Sequence, residues 1–292
     1  MATKEEYAQL SLFIYKVDAN EDNRPLEPAG WERLQYEPNG AFGFSYGVFR
    51  RIGTNEVVIA YTGTRTTDPG DIVNDLAAGV GLGATQTYNA AAIYIQAKAM
   101  YGDNISFTGH SLGGGLASVM AVWFNRPATV FDEAPFLLLA TNPLFTLASK
   151  VILGITADPA FTSYDPFLNY AQRAQNVTNY YVEGEFLNAF RTPVNTIVGN
   201  GQDHVVKANI TDMTAIGGAI DLHSQALLTA MLMSDGFRQS TYASTRIIPL
   251  LMDKKLYAND AASSSERNVL IDFLRSEQGA GASQRGQSHL TF

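Results

Sequence analysis

The sequence predicts an α/β fold: a mostly parallel central sheet with helices crossing between its strands. Three observations carry that expectation. Between residues 56 and 131, short apolar runs alternate with Ala- and Gly-rich helical stretches in the order strand, helix, strand, helix, strand. The run Val57-Val58-Ile59-Ala60-Tyr61 is apolar at every position, as a strand covered on both faces must be. A length of 292 residues suits one large domain of this class, or a core carrying an inserted cap.

Each element has its own signal. Residues 4–16 read as a helix, because Tyr7, Leu10, Phe13 and Ile14 form one stripe. Residues 18–40 are rich in Asn, Asp, Pro and Gly and read as loop, with a short segment near Trp31. Residues 41–51 and 56–61 read as two strands joined by a turn at Gly53-Thr54-Asn55. A polar loop follows over 62–70, then a helix start over 71–76 and a glycine-rich break over 79–83. Residues 88–101 are Ala-rich and helical, 105–108 form a short strand, 113–124 a helix of small and apolar residues, and 128–131 another strand. Residues 134–175 are apolar without strand alternation and read as a helical cap insertion. Beyond it come a strand over 177–182, an irregular stretch over 210–220, a helix over 224–233 and a last helix over 264–276. The expected organisation is a catalytic domain over 1–278 and a flexible tail over 279–292, whose Gly, Ala, Ser and Gln content cannot build a core.

Composition narrows the function classes. The formal net charge is −8 with no cluster of Lys and Arg, which argues against nucleic acid as a partner. There is no cysteine, so disulfides, thiolate metal sites and a cysteine nucleophile are excluded. Residues 1–7 lack the apolar run of a secretory signal, which leaves a cytoplasmic protein or one exported without a cleaved N-terminal signal, alone or within a longer chain. The longest apolar stretch, over 136–155, is broken by Pro143, Lys150 and Gly154 and is not a membrane span.

The chemistry concentrates at Gly109-His110-Ser111-Leu112-Gly113. A serine between a strand and a helix, with glycine two residues away on each side, is the pattern of a sharp turn that thrusts a nucleophilic hydroxyl forward. The following helix aims its N-terminal N–H groups at the site, where they favour developing negative charge. A serine nucleophile needs a base, and only four histidines exist. His110 adjoins Ser111 and points elsewhere, and His289 lies in the tail. His223, just ahead of the helix over 224–233, is preferred to His204 because a late loop can reach back to the nucleophile. The base needs a carboxylate, and Glu185, Asp132 and Asp203 are the candidates: the first two follow strands, and Asp203 adjoins His204.

The segment Thr108-Gly-His-Ser-Leu-Gly-Gly-Gly-Leu-Ala117 closely resembles the nucleophile segment of the class 3 lipases and of their bacterial lipase and phospholipase relatives. A second segment is similar too: Val58-Ile-Ala-Tyr-Thr-Gly-Thr64 followed by Asp71-Ile-Val-Asn-Asp-Leu76, with Thr62 where Arg is usual and Ile72 where Trp is usual. The resemblance spans residues 56–131. It implies an α/β-hydrolase fold with a helical cap or lid, and a Ser-His-acid triad acting on lipid esters of the triacylglycerol or phospholipid type. It also implies an oxyanion hole from the backbone N–H groups of Leu112 and Thr64, and it favours Glu185 as the acid, in the position after the corresponding strand. A thioesterase or acyltransferase with the same machinery, or a binding module of the same fold, is the alternative. The partner expected is a lipid ester, with transient contact with a membrane or lipid surface. Leu144, Phe145, Leu147, Val151, Ile152, Leu153, Ile155, Phe161 and Phe167 are candidates to line an acyl cleft, although most are expected simply to pack in the core. A lid could also come from residues 66–75. No cofactor is expected. Asp68, Asp71 and Asp75 lack the glycine and closing glutamate of a calcium loop, and residues 79–83 follow no strand and so make no dinucleotide site.

Overall fold

The computed structural model describes residues 1–15, 28–37, 44–62, 82–154, 158–185, 187, 202–207, 221–235 and 238. They build a seven-stranded sheet laid down in strict chain order: β1 (Trp31–Glu37), β2 (Tyr46–Arg51), β3 (Val57–Tyr61), β4 (Ile105–His110), β5 (Ala128–Phe131), β6 (Val177–Val182) and β7 (Gln202–Val206). Strand β2 runs antiparallel to both its neighbours, β1 and β3, and β3 through β7 are parallel. This is the α/β-hydrolase fold that the sequence implies.

Parallel strands laid down in order, with crossovers of one hand, collect their helices on one face. That face carries α2 (Leu82–Tyr101), α3 (Leu112–Phe124) and the short helices between β5 and β6. The latter are α4 (Leu137–Thr141), α5 (Pro143–Leu153), α6 (Pro159–Thr162) and α7 (Tyr170–Ala174). The opposite face is covered by α1 (Lys4–Phe13) and α8 (Gln225–Met233). Alternation along β3 explains why every position of that strand is apolar. Val57, Ile59 and Tyr61 enter one core, while Val58 and Ala60 enter the other.

Helix α1 begins with a capping box, in which Thr3 and Glu6 satisfy each other's backbone N–H groups. Glu6 then does a second task. Its carboxylate takes both Arg51 Nη atoms at 3.0 and 2.9 Å, while Arg51 Nε reaches Glu56 at 2.7 Å. Burial pushes the Glu6 carboxyl up, but the Arg51 hydrogen bonds, the Thr3 N–H and the Arg51 charge outweigh it and hold the group below its ordinary value. Helices α1 and α8 pack together through Gln225 Nε2 on Ala8 O, at 3.1 Å, and Gln9 Nε2 on Met233 Sδ.

Two strands escape the sequence reading. Both β1, read there as loop with only a short segment near Trp31, and β7 have largely polar sequences, and the side chains of β7 are exposed at all positions but Val206. The stretch over 134–175 is helical as expected, but its packing corrects one expectation. Phe161 is buried and Phe145 and Leu153 half-buried, whereas Leu144, Leu147, Val151, Ile152 and Phe167 are 61–80% exposed. Ile155, the helices over 71–76 and 264–276, the lid candidate over 66–75, the stretch over 210–220 and the tail lie outside the described residues. Among the described residues no helix is long and apolar enough to cross a membrane.

Candidate active site

The site forms where β4 turns into α3. Ser111 has φ 57 and ψ −128, a conformation few non-glycine residues adopt. The turn is held by Ser111 N–H donating to Phe131 O at 3.1 Å and by the Gly115 and Ala134 N–H groups donating to Ser111 O at 3.0 and 2.9 Å. The glycines are spatial necessities. A Cβ on Gly113 would lie 2.2 Å from Tyr61 O, and one on Gly109 would lie 2.4 Å from Gly113 O. The elbow therefore tolerates no side chain at either position without moving backbone.

Three predicted residues from three distant segments meet here. His223, in a short 3-10 turn over Asp221–His223 before α8, brings Nε2 to 2.9 Å from Ser111 Oγ. Its Nδ1 lies 2.9 Å from Glu185 Oε2, and that oxygen also accepts the Leu187 N–H at 2.9 Å. Glu185 sits just past β6, after a turn at Gly184 whose φ is 86. All three side chains are buried, with residue exposures of 2–6%. The carboxylate can only accept, so Nδ1 carries a proton and Nε2 of a neutral ring presents its lone pair to the serine hydroxyl.

The other candidates stand apart from this chain of bonds. Asp132 is fully buried at a turn with φ 43. Its Oδ1 accepts the Val182 N–H at 3.1 Å and its Oδ2 lies 3.7 Å from His110 Nε2. Asp203 lies on β7 and accepts from Asn179 Nδ2 at 3.0 Å, and the exposed His204 stacks on Tyr180 with ring centroids 4.9 Å apart. Leu112 opens α3, where helix geometry offers its N–H no acceptor. Thr64 and His289 lie outside the described residues.

His110, set aside above as a candidate base, packs against His223. Its ring centroid is 4.6 Å from that of His223, its Nε2 is 2.9 Å from His223 O, and its Nδ1 is 3.0 Å from the Tyr15 hydroxyl. Strand parity could have pointed there. Ser106 and Thr108 both bond Tyr7 of α1, so His110, two residues on, faces the same layer. Glu133, also buried, accepts from Ser118 Oγ at 2.6 Å behind the elbow helix. Among the described residues, one group has the proximity of metal ligands: His110, Asp132 and His223, with ligand atoms within 4.8 Å of one another. The bonds to Ser111, Glu185 and the His223 carbonyl already engage both histidine rings, so the group reads as a hydrogen-bond network.

This geometry can be set beside known proteins. The family model for a Tle-like phospholipase domain matches residues 6–238, from α1 to just past α8. The chain belongs to that phospholipase-like family. A 92-residue stretch is 34% identical to the extracellular phospholipase A1 of Serratia liquefaciens, covering 32% of this chain and 28% of that protein. The match thus spans little more than a quarter of that relative. The Lip2 lipase of Yarrowia lipolytica aligns in structure over 70% of this chain and 78% of its own, with a TM-score of 0.42 and 15% identity. The family is one of lipase- and phospholipase-like hydrolases, as the resemblance at the elbow implies.

Proposed function

We propose that the protein hydrolyses carboxylic esters of phospholipids through an acyl-enzyme on Ser111. The observation that carries this reading is the unbroken chain of bonds from Ser111 Oγ through His223 to Glu185, each 2.9 Å long, inside a phospholipase-like family. Ser111 Oγ attacks the ester carbonyl as its proton passes to His223 Nε2. Glu185 holds the imidazole tautomer and offsets the charge of the imidazolium. The tetrahedral oxyanion is taken by N–H groups at the start of α3, Leu112 first, with Thr64 as second donor. His223 returns its proton to the leaving alcohol, and water then releases the fatty acid by the same steps in reverse order of roles. The substrate is met at a lipid surface, and the exposed Leu144, Leu147, Val151, Ile152 and Phe167 of the α5 region supply an apolar face for that contact.

The test is fluorophosphonate labelling with peptide mapping, paired with hydrolysis of phospholipid vesicles and a triacylglycerol emulsion by wild type and Ser111→Ala. The expected result is one label on Ser111, release of fatty acid from phospholipid, and loss of both in the variant. A label on another serine, or full activity in Ser111→Ala, overturns the mechanism. Activity confined to triacylglycerol overturns the substrate class.

A further inference from the structure

We infer that His110 is a positioning residue for the base, and that its task falls in the second half of the reaction, deacylation. The inference rests on the triad reading above. In the free enzyme His223 is held on its ring by two bonds, to Glu185 Oε2 and to Ser111 Oγ. The second bond vanishes once Ser111 Oγ is esterified, because an acyl oxygen has no proton to donate. The base must nevertheless stay in place, since it next takes a proton from the attacking water.

His110 supplies a tether that acylation does not touch. The carbonyl of His223 can only accept, so His110 Nε2 carries the proton of that 2.9 Å bond. The Tyr15 hydroxyl holds the other side of the residue, 3.0 Å from His110 Nδ1 and donating to His110 O at 3.3 Å. Asp132 Oδ2, 3.7 Å from the same Nε2, adds negative potential that favours this tautomer. The direction of the bond that forms the tether is thus set: His110 Nε2–H donates to His223 O. The 3-10 turn bearing His223 is short, so its ring follows its main chain, and that main chain is bound to the residue covalently preceding the nucleophile. The His110 ring, packed against the His223 ring at 39° with centroids 4.6 Å apart, limits its movement as well.

In deacylation the water oxygen bonds to the acyl carbonyl carbon and its proton goes to His223 Nε2. The carbon to Ser111 Oγ bond then breaks and Oγ takes that proton, leaving a carboxylic acid and free serine. A base displaced by an ångström slows this step by up to about a hundredfold. Acylation suffers less, because the Ser111 to His223 bond itself positions the base.

The experiment compares wild type, His110→Phe and His110→Gln by stopped-flow hydrolysis of a p-nitrophenyl ester. Gln carries an amide N–H near the place of Nε2, while Phe keeps the ring volume without a donor. For His110→Phe the expectation is a fall in kcat of about 10- to 100-fold with kcat/KM held within about threefold, and a pre-steady-state burst of nitrophenol as acyl-enzyme accumulates. His110→Gln should recover most of kcat and lose the burst. Equal losses in kcat and kcat/KM without a burst, or no loss in either, would overturn the inference. If the Phe variant does not fold, His110→Asn, whose amide is too short to reach His223 O, takes its place with the same expected split. Labelling of wild type at Ser111 keeps this result separate from failure of the hydrolase reading.

Discussion

Replacing Glu185 tests the acid directly, and the structure separates two substitutions. Both bonds to this carboxylate, from His223 Nδ1 and from Leu187 N–H, end on Oε2 at 2.9 Å. Glu185→Gln can place its carbonyl oxygen there and still accept both bonds, so what it loses at that atom is the negative charge. A hydrogen bond to a charged group is worth about 1.5–3 kcal/mol, which at about 1.4 kcal/mol per tenfold predicts a drop of about 10- to 150-fold in kcat/KM. Glu185→Ala loses more. It leaves the Leu187 N–H buried without this acceptor and frees His223 to adopt the tautomer that cannot act as base, for a loss of about ten-thousandfold. The assay is hydrolysis of a soluble short-chain ester, with circular dichroism to show that each variant is folded. Asp132→Asn tests the rival acid: its retained Oδ1 can still accept the Val182 N–H, and its loss should be much smaller than that of Glu185→Ala. Should Glu185→Ala stay within about threefold of wild type while Asp132→Asn collapses, the acid has been misassigned.

Three further outcomes are expected. Gly113→Ala forces a Cβ to within 2.2 Å of Tyr61 O, so the urea midpoint should fall by an amount equivalent to about 1–3 kcal/mol or more; an unchanged midpoint would show that the elbow has slack the structure does not reveal. The Glu6–Arg51 pair should contribute stability that is full above the ordinary carboxyl pKa of about 4.3 and lost as pH falls through the lowered folded value, so Glu6→Gln should be less stable at neutral pH and decline less steeply in acid, read from urea titrations at several pH values. Leu144→Asp with Leu147→Asp, at sites 77% and 61% exposed, should change stability by no more than about 0.5 kcal/mol and leave soluble-ester hydrolysis alone, while vesicle hydrolysis falls by about tenfold or more; unaltered vesicle rates would remove α5 from the lipid contact.

What could be read from the sequence depended on how locally each feature is encoded. Strand β3 was legible because burial on both faces demands five apolar residues in a row, and the elbow because two glycines are imposed by backbone overlap. Strands β1 and β7 were not, since an edge strand may be polar throughout and its partners are remote in sequence. The histidine next to α8 could be picked out by elimination among four, but three carboxylates remained, and only the turn at Gly184 puts one of them against His223 Nδ1. His110 was set aside for a sound reason, since adjacent residues cannot pair as nucleophile and base. Its contact with the carbonyl of His223 spans 113 residues, and strand parity gives the layer that it faces but not that partner. The α5 stripe showed helical spacing, and periodicity reveals that an apolar face exists without saying what it meets.

The layer formed by α1 and α8 has a consequence for when activity arises. These helices are separated by more than 200 residues, yet they pack on one another, and Tyr15 just after α1 and His223 just before α8 both bond His110 of β4. A chain emerging from the ribosome can assemble β3, β4 and α3, and so display its serine, long before α8 exists. On the proposed mechanism that serine has no base until His223, directly ahead of α8, is in place. The nucleophile is thus displayed before its base, and hydrolysis by that mechanism waits on the contact between these two helices.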